Sequence, residues 1–352
     1  MRERYEVAII GAGPAGAAAA FFLAHEGMGD VLLLDRMLGE ESFDRYHSIC
    51  GEGISRRAFR GLEPMEPWHL RGPMGRTELL WPGEIRVERK VEGLILDRPR
   101  FLAELHERAE QGGCHLRRGA LESVEMDGED HVLRLRDGRE VRCRWLIGAD
   151  GAFSRVRKDL FGSKPRGMMQ VQRFLSEQPA PADGALIELG ERYRGGYRWT
   201  FPSGDGSNYG FPKGCDSPED VLDKGGRHLP FGGVGELVRG RAMLLGDAAA
   251  QANPVCFAGL LPAFRGAKAI AKAIVRDNPR IYSRWWERSL LSSPRFFATH
   301  ERLRSWSDEE MRRAAHPFRR GVNPLSVTHA LLTMPGNLPM YVGCLFTFQY
   351  AW

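Results

Sequence analysis

Hydrophobic and polar positions divide the chain into stretches of different period. Residues 5–10, YEVAII, form an apolar run of strand length, followed by a glycine-spaced turn and an alanine-rich helical stretch to about His25. A second apolar run, VLLL, ends on Asp35. Strand, turn, helix and strand within roughly thirty residues predict a βαβ unit. Residues 99–112 repeat apolar side chains at Phe101, Leu102, Leu105 and Ala109, which is one face of a helix. From Cys114 to Asp150 the pattern predicts short strands, with turns at Asp127-Gly128 and Asp137-Gly138. Residues 164–235 mix Gly, Pro and aromatic residues with strand-like alternation, and Ser203-Gly204 signals a hairpin. That texture predicts an antiparallel sheet inserted in the first unit. RAMLL at 241–245 returns to a buried strand, and a long small-residue helix is expected after Gly259. Residues 280–320 read as helical, with ten arginines against five acids.

The tail differs from everything before it. From Val322 to Trp352 there is no Asp, Glu, Lys or Arg, and Pro335 and Pro339 interrupt the stretch. It suits the lining of an apolar cavity, a core, or a contact with a membrane surface.

Composition narrows the classes. With 352 residues, 43% apolar and 27% charged, the chain suits two closely knit domains. The net charge of +5 is spread among interspersed acids, without an arginine-rich arm or reader motif, so no nucleic-acid partner is expected. The six cysteines form no CxxC pair and have no metal-ligand spacing with the histidines. Free thiols, a cytoplasmic location and no metal site are expected. MRER leads straight into the first strand, leaving no room for a signal peptide. No run of 18 apolar residues predicts a simple membrane span.

The strongest chemical signal is the turn of the βαβ unit. Gly11, Gly13 and Gly16 make a GxGxxG, with Pro14 and Ala15 between them and Asp35-Arg36 closing the second strand. Gly11 permits the tight turn, Gly13 a backbone approach to pyrophosphate, and Gly16 close helix–strand packing. The helix N-terminus offers amide donors to phosphates, and Asp35 is placed for an adenosine ribose. This predicts a Rossmann-like α/β unit binding a dinucleotide. The motif alone does not separate FAD from NAD.

Two later segments separate them by resemblance. VRCRWLIGADGAFSRVRKDL (141–160) resembles the GADGxxSxVR segment of flavoprotein monooxygenases, and RAMLLGDAAAQANPV (241–255) their GDAAxxxxP segment. The resemblance implies an FAD-binding domain of that type, with Asp150, Gly246, Asp247, Pro254, Gly259 and Leu260 at the cofactor and Asp247 toward the ribityl chain. It sets the boundaries as 1–163 and 236–279 for FAD binding, 164–235 for an antiparallel-sheet substrate domain, and 280–352 for a helical C-terminal region. A contribution from 64–92 to the substrate domain stays open.

More selective pieces resemble the geranylgeranyl reductase family, which includes archaeal digeranylgeranylglycerophospholipid reductases and menaquinone side-chain reductases. They are Cys50-Gly51-Glu52-Gly53, Tyr197-Arg198-Trp199-Thr200-Phe201-Pro202, Asn253-Pro254 with Gly259, and Asp97-Arg98-Pro99-Arg100-Phe101. Arg98 falls where the superfamily places an arginine near FAD. Many relatives read NPxTGEGI after the second FAD segment, whereas this chain reads Asn253-Pro254-Val255-Cys256-Phe257-Ala258-Gly259-Leu260. Cys-Phe thus replaces the usual Thr-Gly.

The resemblance implies reduction of carbon–carbon double bonds in an isoprenoid lipid or prenyl quinone. Such an alkene has no carbonyl to hold developing charge, so positioning and water exclusion carry much of the catalysis. The resemblance implies a catalytic part for Cys50, as proton donor or substrate-side organiser, with Glu52 ordering the turn or meeting the cofactor's surroundings; a free cysteine is also commonly a small buried hydrophobe. Tyr197, Trp199, Phe201, Pro202 and Tyr209 are expected to line the substrate channel. With one dinucleotide fingerprint, electrons are expected from an external donor, ferredoxin or a reduced nicotinamide. The competing readings are an FAD-dependent monooxygenase or halogenase, and a non-catalytic flavin- or lipid-binding protein. Arginines at 284–313 beside Trp285, Trp286, Phe296 and Phe297 predict peripheral contact with a membrane.

Overall fold

The computed structural model describes residues 4–181, 184–218 and 221–347. The MRER start and the last five tail residues therefore lie partly or wholly outside the described residues.

The apolar run at the start becomes the strand Arg4–Ile10, at the centre of an eight-stranded sheet. It pairs in parallel with Val31–Asp35 on one side and Glu140–Gly148 on the other. His115–Arg118 and Ala242–Leu244 extend the parallel sheet outward. Residues 7–10 and 31–34 and the strand Ala242–Leu244 are apolar at every position because both faces are covered, whereas the edge strand His115–Arg118 is mostly polar. Leu121–Asp127 and Asp130–Leu135 form an antiparallel meander attached to Glu140–Gly148, through the two turns expected at Asp127-Gly128 and Asp137-Gly138.

The helix Pro14–His25 is buried continuously from Ala15 to Leu23. It packs against the helices Arg98–Gln111 and Leu260–Val275 as well as the sheet. Alanine at 17–20 lets three elements approach one helix at once. At Gly16 a Cβ would lie 1.8 Å from the Gly11 carbonyl oxygen, so only glycine fits. Arg4–Ile10 has Val31–Asp35 on one edge and Glu140–Gly148 on the other, and a cleft opens beyond Ile10 and Gly148, the usual ligand position in such sheets.

The second sheet also has eight strands, running Asp223–Phe231, Gly167–Ser176, Gly206–Pro212, Arg198–Ser203, Gly184–Glu188, Leu70–Trp81, Ile85–Leu96 and Gly53–Ser55. All its pairs are antiparallel except Gly184–Glu188 with Leu70–Trp81. The chain thus enters this sheet well before residue 164. Strands between Gly53 and Leu96 belong to it, which widens the contribution from 64–92 that the sequence left open.

Five further α-helices follow among the described residues, from Arg280–Arg288 to Leu338–Phe346. Leu338–Phe346 lies so close to Pro294–Ser305 that a Cβ on Gly343 would meet Thr299 Oγ1 at 2.0 Å. The last described helix of the uncharged tail is therefore packed against the protein, while most of the tail residues before it are exposed. Of the aromatic residues expected to face a membrane, Phe296 is buried, and Trp285, Trp286 and Phe297 are half-buried, the two tryptophans packing against the main core. No helix among the described residues is long and apolar enough to cross a membrane.

Candidate active site

A cavity of about 1140 Å³ occupies the cleft between the two sheets. Its lining reaches from Asp35 and Arg36, past Gly11, Gly13, Pro14 and Ala15, to Asp150, Gly246, Asp247, Gly259 and Leu260. Arg98, Cys50, Glu52, Tyr197, Trp199 and Phe201 complete the far wall. Segments separated by more than 200 residues in the chain are thus brought to one space.

The nucleotide end is built from backbone. No side chain caps the N-terminus of Pro14–His25, so its first amides face the cavity. Asp35 braces the turn, its Oδ2 accepting from Ala12 N at 2.9 Å and its Oδ1 from Met37 N at 2.7 Å. The ring of the buried His106 contacts the Ala12 carbonyl at 2.9 Å. Asp150 turns its carboxylate inward, accepting from Ser154 Oγ at 2.5 Å and Arg155 N at 2.6 Å. Burial raises its pKa against those donors. Arg157 then donates to the carbonyls of Ala248 at 2.8 Å and Ala152 at 2.7 Å, stapling the two flavoprotein-like loops together. An uncapped helix start, an acid at the second strand and a cleft of this size fit an FAD molecule.

At the other end the Cys50–Gly53 turn is held from several sides. Arg98 Nη2 donates to Cys50 Sγ at 2.6 Å, and Asn208 Nδ2 donates to the Cys50 carbonyl at 2.6 Å. Arg173, with 2% of its side chain exposed, bridges Ser48 Oγ and Asp223 Oδ2, both at 3.0 Å. Glu52 is buried and pairs with Arg71 at 2.9 Å. Burial raises its pKa, and Arg71 and Arg98 oppose that. It is Glu52, not its flanking glycines, that takes the left-handed conformation, at φ 62°. The glycines serve close approach instead. A Cβ at Gly51 or Gly53 would come within 2.7 Å of the Phe201 ring.

Asp247 receives Arg227 Nη2 at 3.0 Å, and His47 fills the space beside Gly13, where a Cβ would meet its Cε1 at 2.7 Å. Burial pushes the His47 imidazole down to about 3. The chain-specific turn after Asn253 closes on that residue. Asn253 Oδ1 accepts from Val255 N at 2.8 Å and Cys256 N at 3.1 Å, and its carbonyl accepts from Phe257 N at 2.8 Å. Phe257 sits at φ 53°, a left-handed position that costs a residue with a Cβ about 1–2 kcal/mol.

Four expected residues do not line the cavity. Gly16 serves helix packing, and Pro254 is buried behind the turn. Pro202 and Tyr209 are corrections to the substrate set. The hairpin register pairs Phe201 with Asn208 and Thr200 with Tyr209. Side chains alternate along a strand, so Trp199, Phe201 and Asn208 share the cavity face while Pro202 and Tyr209 point away. Tyr209 instead joins Phe174, Tyr193 and Phe211 in a separate cluster.

The residues that sequence reading passed over are Arg157, Arg173, Asn208, Arg227 and His47. Arg157 lies inside the GADGAFSRVR pattern, which is the signal that could have found it. The other four carry no periodic signal.

A second cavity of about 260 Å³ lies on the other side of Tyr197, Phe201 and Cys256, which line both. Its walls come from Leu79, Trp81 and Val87 of the second sheet and from Leu303, Met311 and Met340 of the C-terminal helices. Arg89 is the one Asp, Glu, Lys or Arg among the described residues lining it.

Comparison with known proteins agrees with this architecture. The family profile described as FAD binding domain matches residues 4–63 and 91–178. Digeranylgeranylglycerophospholipid reductase 1 of Methanopyrus kandleri is 31% identical over 298 residues, covering 73% of this chain and 76% of that protein. Menaquinone reductase of Mycobacterium tuberculosis is 31% identical over 309 residues, covering 71% of each. The crystal structure of a geranylgeranyl bacteriochlorophyll reductase-like protein from Thermoplasma acidophilum superposes with a TM-score of 0.75 at 18% identity, covering 97% of this chain and 98% of the other. With its flavoprotein fold, its FAD cleft and these relatives, the chain belongs to the geranylgeranyl reductase family of FAD-dependent oxidoreductases.

Proposed function

We propose that this protein saturates carbon–carbon double bonds of an isoprenoid chain carried by a lipid or a prenyl quinone. The observation that carries this reading is the apolar cavity that meets the flavin cleft at Tyr197, Phe201 and Cys256. A hydrocarbon chain held there has no polar handle, so fixed walls must position it and keep water out. Bound FAD supplies the hydride chemistry.

In this reading the Pro14–His25 helix start receives the pyrophosphate, Asp35 the adenosine ribose, and Asp247 the ribityl chain. Cys50 holds the proton for the second alkene carbon at Sγ, and Arg98 orients that sulfur. Glu52 fixes the turn through Arg71. Trp199 and Phe201 form the wall facing the substrate. Electrons come from an external donor, ferredoxin or a reduced nicotinamide, since the chain carries one dinucleotide fingerprint.

The substrate's lipid character calls for contact with a membrane surface. Leu325 and Leu332, 82% and 77% exposed, stand on the helix Pro324–Thr333, and Val322 and Leu338 are exposed beside them. Arg319 and Arg320 are exposed just before this helix, and no acid follows them in the sequence. Apolar side chains beside arginines suit the headgroups of an anionic bilayer.

Anaerobic reduction of the holoenzyme, followed by incubation with geranylgeranyl lipids and polyprenyl quinones, tests the reaction. Mass spectrometry is expected to show two hydrogen atoms gained per double bond. Addition of oxygen in air would support a monooxygenase instead, and an unchanged chain would leave a binding protein.

A further inference from the structure

The flavin cleft and the apolar cavity meet at one short piece of chain. There the Tyr197 hydroxyl donates to the Cys256 carbonyl. Phe257, next along, lines the cleft but not the apolar cavity, so it stands on the flavin side of that bond. Its ring is boxed by Tyr197 at 5.8 Å, Phe231 at 5.3 Å and His300 at 5.9 Å. The backbone holds it at φ 53°, where a glycine would sit without strain. Maintaining a bulky ring in that conformation needs the Asn253 hydrogen bonds and the aromatic box together.

We propose that Tyr197, its bond to the Cys256 carbonyl and the Phe257 ring form a partition between the two cavities. A chain lodged in the apolar cavity opens it to bring a double bond to the flavin, and Phe257 limits how far the chain advances. Tyr197 is the latch, because breaking one hydrogen bond frees its ring to turn. Phe257 is the stop, and it determines which double bonds along the chain are reached. This proposal rests on the isoprenoid reading above.

The test uses oxidised holoenzyme mixed anaerobically with geranylgeraniol. Tryptophan emission, to which Trp81 in the apolar cavity contributes, follows arrival of the chain, and the flavin absorption band follows its passage into the cleft. Tyr197→Phe keeps the ring and removes the latch. It is expected to speed passage about fivefold relative to arrival in the same variant, the worth of one neutral hydrogen bond. Phe257→Gly is expected to speed passage too, and after reduction to saturate bonds farther along the chain, read by fragmentation mass spectrometry. Equal passage rates in wild type and both variants, with an unchanged saturation pattern, would overturn the partition. If the wild type binds geranylgeraniol in neither assay, the isoprenoid reading falls and the partition falls with it.

Discussion

The guanidinium of Arg98 and the sulfur of Cys50 are 2.6 Å apart, with Arg98 Nη2 as the donor. The two are 48 positions apart in the chain, on the turn before the second sheet and at the start of the Arg98–Gln111 helix. Arg98 is buried, so its charge sits in a space with little water to screen it. A thiol beside such a group has a fixed orientation.

Cys50→Ala should therefore leave FAD occupancy intact and slow reoxidation of the reduced flavin by an alkene. The loss of a positioned acid is expected to cost about 100-fold or more in a single-turnover measurement. Arg98→Met should slow the same step while Cys50 is still present. An unchanged rate in Cys50→Ala would reduce the cysteine to packing.

Gly51 and Gly53 are predicted to resist even one added methyl group. A Cβ at either position meets the Phe201 ring at 2.7 Å. Gly51→Ala should destabilise the protein by about 1–3 kcal/mol in urea unfolding, as overpacking does. The same change in a Phe201→Leu background should cost less, because the ring that it strikes is gone. Additive effects would show that Phe201 is not the obstacle.

His47 gives stability a defined dependence on pH. Its ordinary value of 6.5 is pushed down to about 3, first by burial and then by Arg227, Arg98 and His106. The unfolded chain binds the proton more readily than the folded one. The contribution of the neutral ring is complete above pH 6.5 and is lost as pH falls toward 3. At roughly 1.4 kcal/mol per unit, the loss reaches up to about 5 kcal/mol. The urea midpoint should fall across this window, and His47→Asn should flatten the slope whatever it does to the midpoint at neutral pH.

Liposome co-sedimentation tests the membrane surface. Binding should rise with the anionic lipid fraction and fall with salt. Replacing both Leu325 and Leu332 by Glu should weaken it at least about tenfold, since each leucine removed from water is worth about 1.5–3 kcal/mol. Equal binding by the double variant would move the contact elsewhere on the protein.

Much of the site was legible before the structure. The GxGxxG turn, Asp35, the GADG and GDAA segments and the Cys50 turn are local patterns, and the cleft collects all of them. The substrate strand was read less well. Gly206–Pro212 is buried at every position after its first, so apolar alternation could not say which face meets the cavity. Tyr209 looked like a channel aromatic and instead packs against Phe174 at 5.3 Å. Asn208, one position away, holds the Cys50 carbonyl.

The sequence by itself determined the nucleotide-binding unit, because glycine spacing, a following helix and an acid at fixed distance are constraints within one short piece of backbone. It also determined the uncharged tail. Tertiary structure alone decided that this tail would close an apolar cavity against Leu79, Trp81 and Val87, and that Phe257 would stand at the junction with the cleft. It alone paired Arg173 with Asp223, 50 residues away, and Arg157 with Ala248, 91 residues away. A buried arginine leaves no period in the chain, and its partner is chosen by strand register and sheet packing, which act across distances that no local pattern spans.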